Sequence, residues 1–217
     1  MKSSLHKTER NKDTHPSPPA LFAATTFGAD PKRLSELSVT LGDWGVSRWT
    51  TTKNLTENIQ LVALRAPEVL IKAPWDFNAD FWNLGAVLFE VYRAIRLFNG
   101  RRVMSGPDNN NHYELREHLA EIVDVFGPFP KRPLEKGDPE IVKSMFDEES
   151  GQVKTDDPFD RPPLESDLFL PDLDPKTRAA FASFLRFIIK IDPVQRPTPD
   201  GMVEHPWLTP ELPLPGP

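Results

Sequence analysis

Apolar side chains recur at helical spacing from residue 79 onward, just after a segment that is punctuated by Pro67 and Pro74. Proline biases the residue before it away from helix, so the helix is expected to begin after the second proline. Most of its circumference is apolar, which predicts a buried helix. A buried acid needs a partner or a function, and this helix carries Asp80 near its start. The apolar stripe comprises Phe81, Leu84, Val87, Leu88 and Val91.

Four shorter helices and one short strand are predicted around this central helix. Residues 114–126 carry an amphipathic stripe that Gly127-Pro128 ends, which predicts a helix. Asp174-Pro175 and Thr198 have the composition of helix starts, and residues 139–146 predict a short helical piece inside a proline-rich connection. Alternating residues 37–41 predict one short strand. Together these elements predict a mainly helical domain with five or six helices and little β-strand.

The domain is expected to span residues 38–208, between a polar, disordered or irregular segment at 1–37 and a proline-rich tail at 209–217. His112 and His118 have no acid or cysteine cluster around them and are interpreted as surface residues. The acids of the 129–175 region lack the alternating pattern of a calcium loop, which favours a solvated acidic loop.

Charge and composition narrow the classes of partner. The net charge of −6 argues against a main role in binding nucleic acid or an anionic membrane. The chain has no cysteine, which excludes disulfides and thiolate chemistry and fits an intracellular protein, in the cytoplasm or the nucleus. No apolar run reaches about 18 residues, so no membrane span is predicted.

Five short motifs occur in a fixed order, and together they resemble the C-terminal lobe of a eukaryotic protein kinase domain. Each motif is weak alone, whereas a coincidence of all five is improbable. The resemblance implies a mainly α kinase-like fold. The motifs are Asp43-Trp44-Gly45, Ala66-Pro67-Glu68, Asp80-Phe81-Trp82-Asn83-Leu84-Gly85, Asp192-Pro193-Val194-Gln195-Arg196-Pro197-Thr198 and His205-Pro206-Trp207-Leu208.

Within kinases the chain is most similar to the SR-protein kinases and their fungal relatives, which phosphorylate protein serine or threonine. The pointers lie on both sides of the Ala-Pro-Glu triplet, at residues 56–60 and 68–75, and in the helix at 118–123. The resemblance implies ATP and Mg²⁺ as cofactors and a protein as substrate or partner. Thr50, Thr51, Thr52 and Thr56 lie in the expected activation segment.

The resemblance also implies roles for individual residues. Asp43 would place its carboxylate on Mg²⁺ and so belong to the nucleotide and metal site. Glu68 and Arg196 would form a buried ion pair that ties the activation segment to the last helices. Asp80 would accept hydrogen bonds from the catalytic loop, with Trp82 and Gly85 as structural positions of the same motif.

Several parts of a kinase domain have no counterpart in these 217 residues. The sequence contains no Gly-rich loop, no strand lysine with a partner glutamate and no His-Arg-Asp catalytic loop, and it offers no catalytic residue of its own. Leu61 and Leu64 stand where many kinases have threonine and tyrosine. The chain is therefore expected to be a partial domain without the N-terminal lobe, inactive alone and with an exposed apolar patch. The alternatives are a pseudokinase-like scaffold, which would hold a partner around the 114–126 helix, and an unrelated helical protein.

Overall fold

The structure, a computed structural model, describes residues 55–101 and 112–208, with isolated positions before them. Those positions are 40, 42, 45, 47–49 and 51. Four predictions fall outside the described residues, at least in part. They are the metal ligand Asp43, the threonines Thr50 and Thr52, the strand at 37–41 except for residue 40, and the two terminal segments.

The described part of the chain folds into seven α-helices and two short 3-10 turns, Val62–Leu64 and Pro193–Gln195. Its only β pairing is two isolated bridges, Leu55 with Trp75 and Phe146 with Val153. The prediction of a mainly helical fold is confirmed, and short α4 is a helix that apolar periodicity did not reveal. The helices are α1 Pro67–Leu70, α2 Asn78–Arg93, α3 Leu115–Phe126, α4 Lys131–Lys136, α5 Pro139–Met145, α6 Pro175–Ile188 and α7 Pro199–Val203.

The 16-residue helix α2 crosses the core and packs against the end of α6. Gly85 makes this approach possible, because a Cβ at that position would lie 2.3 Å from Cγ1 of Ile189. The helix ends where Ala94 takes a left-handed conformation with φ of 59°. The prediction of burial all round is wrong in part: Leu84 is 41% exposed and Val91, two turns further along, is 60% exposed.

Three α-helices begin at side-chain caps, and two of these, Asp174 and Thr198, are helix starts that the sequence predicts. Asp138 accepts hydrogen bonds from two amides at the start of α5, and Asp174 does the same for α6. Thr198 caps α7 by accepting from the Gly201 amide. Each cap satisfies amides that the first turn of a helix leaves free, and proline follows each as the first helical residue.

No helix in the described ranges is long and apolar enough to cross a membrane.

Candidate functional site

The side chain of Gln60 holds the segment that leads into α1 against α2. Its backbone has a positive φ of 65°, and its side-chain amide donates to the Ala79 carbonyl at 2.9 Å. Its side-chain oxygen accepts from the Ala66 amide, also at 2.9 Å. Arg65 closes the segment on itself by donating from Nε to the Ile59 carbonyl at 3.1 Å. Residues 59–66 are thus fixed by specific hydrogen bonds to the start of the central helix.

A second attachment lies at Trp75. Its backbone amide donates to the Leu55 carbonyl and its indole Nε1 donates to the Glu57 carbonyl, both at 2.9 Å. The same segment carries two exposed residues, Thr56 and Leu61, and Leu61 is 72% exposed. The segment therefore offers an ordered backbone with side chains open to a partner.

Glu68 and Arg196 meet at the centre of the candidate site, although 128 residues separate them. Nη1 and Nη2 of Arg196 donate to the two Glu68 oxygens at 2.6 and 2.7 Å, a bidentate pair. Arg196 also donates to the carbonyls of Asn78, at 2.7 Å, and Lys190, at 2.9 Å. Glu68 is 1% exposed and Arg196 is 6% exposed. This pair joins α1, the start of α2 and the turn before α7.

Trp82 lies directly beside the ion pair and is fully buried. The Arg196 guanidinium lies 5.6 Å from the centre of its ring, within the range of a cation–π contact. On its other side, Phe98 stacks on Trp82 with ring centres 5.6 Å apart. The indole nitrogen of Trp82 has no hydrogen-bond partner in the described part of the molecule. Trp82 therefore stabilises the site through its faces rather than through its N–H.

Asp80 does not have the buried setting that the sequence pattern predicted. Its residue surface is exposed, and its carboxylate makes no hydrogen bond to any residue in the described ranges. Nearby protein still removes part of its water and raises the pKa of the carboxyl above its ordinary value of 3.8. Asp80 is exposed because it lies on a different face of α2 from the buried Ala79 and Trp82.

The remaining predicted site residues are scattered or lie outside the described ranges. Thr51 and Thr56 are both exposed. Among described residues, no group of three or more His, Cys, Asp or Glu could hold a metal ion. Asp43 is the single motif carboxylate that the sequence offers to Mg²⁺, fewer than a kinase site uses. The residues described here therefore do not fit a Mg²⁺ site.

Glu121 forms a buried polar centre that the sequence motifs did not indicate. It is 2% exposed, and one of its oxygens accepts from the Asn99 and Gly100 amides, both at 2.8 Å. Arg161 donates to the other oxygen at 2.8 Å. The signal was present in the chain, because Glu121 shares the buried spacing of α3 with Leu119, Ile122 and Val125 and is an acid in that set.

His118 is buried, so its interpretation as a surface residue is wrong. It lies on the inner side of α3, where the Tyr113 hydroxyl is 3.2 Å from its Nδ1 and Phe98 packs against its ring. Burial and, to a lesser extent, the nearby positive charge of Arg65 together lower its pKa from 6.5 to about 3. The apolar residues of α3 predict which side of the helix is buried, but they do not show that this side also carries a histidine. His112 is exposed, as expected.

The stability of the fold should therefore fall as pH is lowered from about 6.5 toward about 3. The unfolded chain takes up a proton on His118 in this window, whereas the folded chain does not, so acid favours unfolding. At pH 5 the loss from this group should be about 2 kcal/mol. Urea unfolding at pH 7, 6 and 5 measures this loss of stability. Carboxylates also contribute to the pH dependence, and they do so equally in the wild type and in the two histidine variants below.

His118→Phe should show a shallower slope of unfolding free energy against pH than the wild type. His112→Asn, the exposed neighbour, should keep the wild-type slope. Equal slopes for the wild type and His118→Phe would contradict the assignment.

The geometry and the motifs agree with a comparison to known families. The model of the protein kinase domain matches residues 32–208, which is most of the chain. The chain belongs to the protein kinase domain family. The predicted resemblance to kinases, and the kinase-like helical fold, are confirmed.

Curated proteins that are similar to this chain include serine/threonine kinases. The serine/threonine-protein kinase SKY1 of Saccharomyces cerevisiae is 29% identical over 174 residues, covering 79% of this chain and 22% of its own length. SRSF protein kinase 3 of Mus musculus is 27% identical over 199 residues, covering 88% and 34%. A crystal structure of a kinase domain superposes with a TM-score of 0.59 at 24% identity, over 78% of this chain and 46% of that one.

This kinase-family chain thus spans about a fifth to a third of the length of these two relatives. The structural match supports the fold alone. The Ala-Pro-Glu motif of kinases forms the start of α1 and the residue before it. The Asp-x-Trp motif lies in the first two turns of α2.

Proposed function

We propose that the chain forms the substrate-side part of a Ser/Thr protein kinase domain of the SR-protein-kinase type. The reaction of such a domain is phosphoryl transfer from ATP to a serine or threonine hydroxyl of a protein. The supporting observation is the buried Glu68–Arg196 pair, which fixes the Ala-Pro-Glu turn to the helical body. A fixed turn gives the preceding residues 59–66 a defined shape against which a protein substrate can be positioned.

In this proposal the residues of this chain position the protein substrate and do not take part in phosphoryl transfer. Gln60 and Arg65 hold the segment backbone, Glu68 holds its end, and Trp82 supports the arginine that binds Glu68. Thr51 and Thr56, with Thr50 and Thr52, are candidate phosphorylation sites in this segment. Arg48, which is exposed, is the arginine in the segment nearest to them. Asp80, whose carboxylate makes no hydrogen bond to a described residue, is the proposed acceptor of hydrogen bonds from a catalytic loop.

ATP and Mg²⁺ are the cofactors of this reaction, and Mg²⁺ neutralises charge on the transferring phosphates. In these 217 residues Asp43 is the proposed ligand, and the other groups that cradle nucleotide have no counterpart in the sequence. We therefore expect the 217 residues alone to bind no nucleotide and to transfer no phosphate. The proposed partners are proteins, with no nucleic acid or membrane involved, and the proposed location is the cytoplasm or nucleus.

Purified as 217 residues, the protein should leave an Arg/Ser-rich peptide unphosphorylated in the presence of Mg-ATP. It should also show no change in melting temperature at millimolar Mg-ATP, because one motif carboxylate cannot replace a nucleotide-binding lobe. Radiolabelled phosphate transfer and differential scanning fluorimetry measure the two outcomes. Transfer above the no-enzyme background, or a reproducible thermal shift, would contradict the expected inactivity.

The scaffold alternative makes a different prediction about the gene. Transcript reads upstream of Met1 should encode a Gly-rich loop, a strand lysine and a His-Arg-Asp loop if the chain serves a catalytic kinase. Their absence from the locus would favour a binding module. In this alternative the partner is held around α3, in which six residues are buried and six are half-buried.

A further inference from the structure

Asn99-Gly100 is the one Asn-Gly pair in the sequence, and it lies shortly after α2 ends at Arg93. An asparagine side chain that precedes glycine is open to attack by the glycine backbone nitrogen, because glycine has no Cβ to obstruct the approach. Asn99 is exposed, whereas Gly100 is buried. The pair therefore combines an accessible side-chain amide with a nucleophile whose surroundings are fixed by the fold.

The Asn99 side chain is held in a position that favours reaction. Its oxygen accepts a hydrogen bond from the Arg101 amide at 2.8 Å. This bond keeps the side chain against its own backbone, in the turn that asparagine commonly forms with the residue two positions further on. A donor on this oxygen also stabilises the negative charge that develops there when a nucleophile attacks the side-chain carbon, Cγ.

The nucleophile, in contrast, is blocked by Glu121. One oxygen of Glu121 accepts from the amides of Asn99 and Gly100, both at 2.8 Å. An amide nitrogen attacks carbon only once it gives up its proton, and a carboxylate bound to that proton opposes negative charge on the nitrogen. Glu121 is a poor acceptor for this proton, because its oxygens already accept from Arg161 and from two amides.

The backbone of Gly100 is also held away from the geometry of attack. Its carbonyl accepts from the Glu114 amide at 2.8 Å. The Tyr113 ring packs so closely that a Cβ on Gly100 would lie 2.4 Å from Cε2 of the ring. Attack on Cγ requires the backbone between Asn99 and Gly100 to rotate, which breaks these contacts. The reaction is therefore restricted to moments at which this part of the fold opens.

We propose that Asn99 is a modification site, at which asparagine converts to aspartate and isoaspartate at a rate that Glu121 controls. In this reaction the Gly100 nitrogen bonds to Cγ of Asn99, and the bond between Cγ and Nδ2 breaks. The side-chain nitrogen leaves as ammonia and takes the proton that the Gly100 amide loses. Water then opens the resulting ring at either of its carbonyls, and no further reactant is needed.

The product of the reaction does not fit the original site. Aspartate at position 99 brings a second carboxylate close to Glu121, and like charges repel each other. Isoaspartate adds a methylene to the backbone between the two amides, so that they no longer converge on one oxygen. The conversion therefore weakens the attachment of residues 99–100 to α3. It is independent of phosphoryl transfer and of the proposed substrate segment at 59–66.

The test follows Asn99 in the 217-residue protein during incubation at physiological pH and temperature. Trypsin then releases this residue in the peptide 97–101, which contains no other asparagine or glutamine. Mass spectrometry and chromatography separate the asparagine, aspartate and isoaspartate forms. Conversion in the folded protein should be at least tenfold slower than in the same chain unfolded in guanidinium chloride, because the Gly100 amide is released only in the open state.

Three variants separate the role of the carboxylate from general stability. Glu121→Gln removes the negative charge from the Gly100 amide and should speed conversion at least tenfold. Glu121→Asp keeps the charge but withdraws it from the amides by one methylene, and it should speed conversion at least threefold. Arg161→Met destabilises the same centre by removing its cation but leaves the carboxylate on both amides, so the rate should stay within threefold of wild type. Circular dichroism under the incubation conditions checks that each variant is folded.

Three outcomes would overturn the proposal. Equal rates in the folded and the unfolded wild type would show that the fold does not restrain the pair. Slower conversion in Glu121→Gln or Glu121→Asp would make the carboxylate a base that assists attack, which is the opposite role. Equal acceleration in Arg161→Met and in the Glu121 variants would mean that general stability sets the rate. None of these outcomes bears on whether the chain serves a kinase.

Discussion

Replacing Arg196 by alanine should lower the free energy of unfolding by about 3–5 kcal/mol. The loss comes mainly from Glu68, which is 1% exposed and would keep a charge with no counterion in a dry site. Two carbonyls, those of Asn78 and Lys190, would also lose their donor. Equilibrium urea unfolding followed by tryptophan fluorescence and far-UV circular dichroism measures the change.

A matched arginine tests whether the effect is specific. Arg101 is exposed and its side chain makes no hydrogen bond to any described residue, so Arg101→Ala should change stability by less than about 0.5 kcal/mol. The double variant Glu68→Leu with Arg196→Met removes both charges, and it should recover part of the loss because no unpaired charge remains. A loss of less than 1 kcal/mol for Arg196→Ala would mean that water reaches Glu68.

Trp82→Ala should cost a similar amount, about 3–5 kcal/mol, by a different mechanism. The side chain is fully buried between Phe98, Phe126 and the Arg196 guanidinium, so its removal leaves a cavity at the centre of the core. The surrounding rings cannot collapse into this space without moving the ion pair. Thermal and urea unfolding of the variant give the magnitude.

Trp82→Phe is the informative companion. It keeps a ring against Phe98 and removes the indole nitrogen, which has no partner in the described part of the molecule. Because no hydrogen bond is lost, this variant should cost clearly less than the alanine variant. An equal cost for phenylalanine and alanine would indicate that the indole nitrogen makes an interaction that the structure does not contain.

Local patterns predicted the helices better than they predicted exposure. The caps at Asp174 and Thr198 and the glycine after α3 are short-range signals, and the helices begin and end at them within a residue or two. Periodicity assumes that an apolar stripe is covered, whereas Val91 is 60% exposed. It also assumes that polar residues face water, and His118 and Glu121 are buried. Both errors concern the surroundings of a helix, which its own sequence does not contain.

The pairing of residues far apart in the sequence could be predicted only from the family resemblance. Nothing in the local sequence links Glu68 to Arg196 across 128 residues, and the motif order supplied the link. Gln60 lies in the 56–60 segment that points to the SR-protein kinases, and Arg161 lies in none of the motifs. Their hydrogen bonds emerged only from the structure. The excess of cations in α4, where Lys131, Arg132 and Lys136 outnumber Glu135, was missed for another reason, because the overall net charge conceals it.

The contacts of Glu121 have a consequence for how this protein can change. Its carboxylate fixes the amides of Asn99 and Gly100, and the Glu114 amide returns to the Gly100 carbonyl at 2.8 Å. Gly100 and Glu114, on either side of positions 102–111, are thus bound to each other. Lengthening a connection between such points costs only about 0.6 kcal/mol for each doubling. New sequence can therefore be inserted between positions 101 and 112 at little thermodynamic expense, which makes this the place where related proteins can acquire additional binding surfaces.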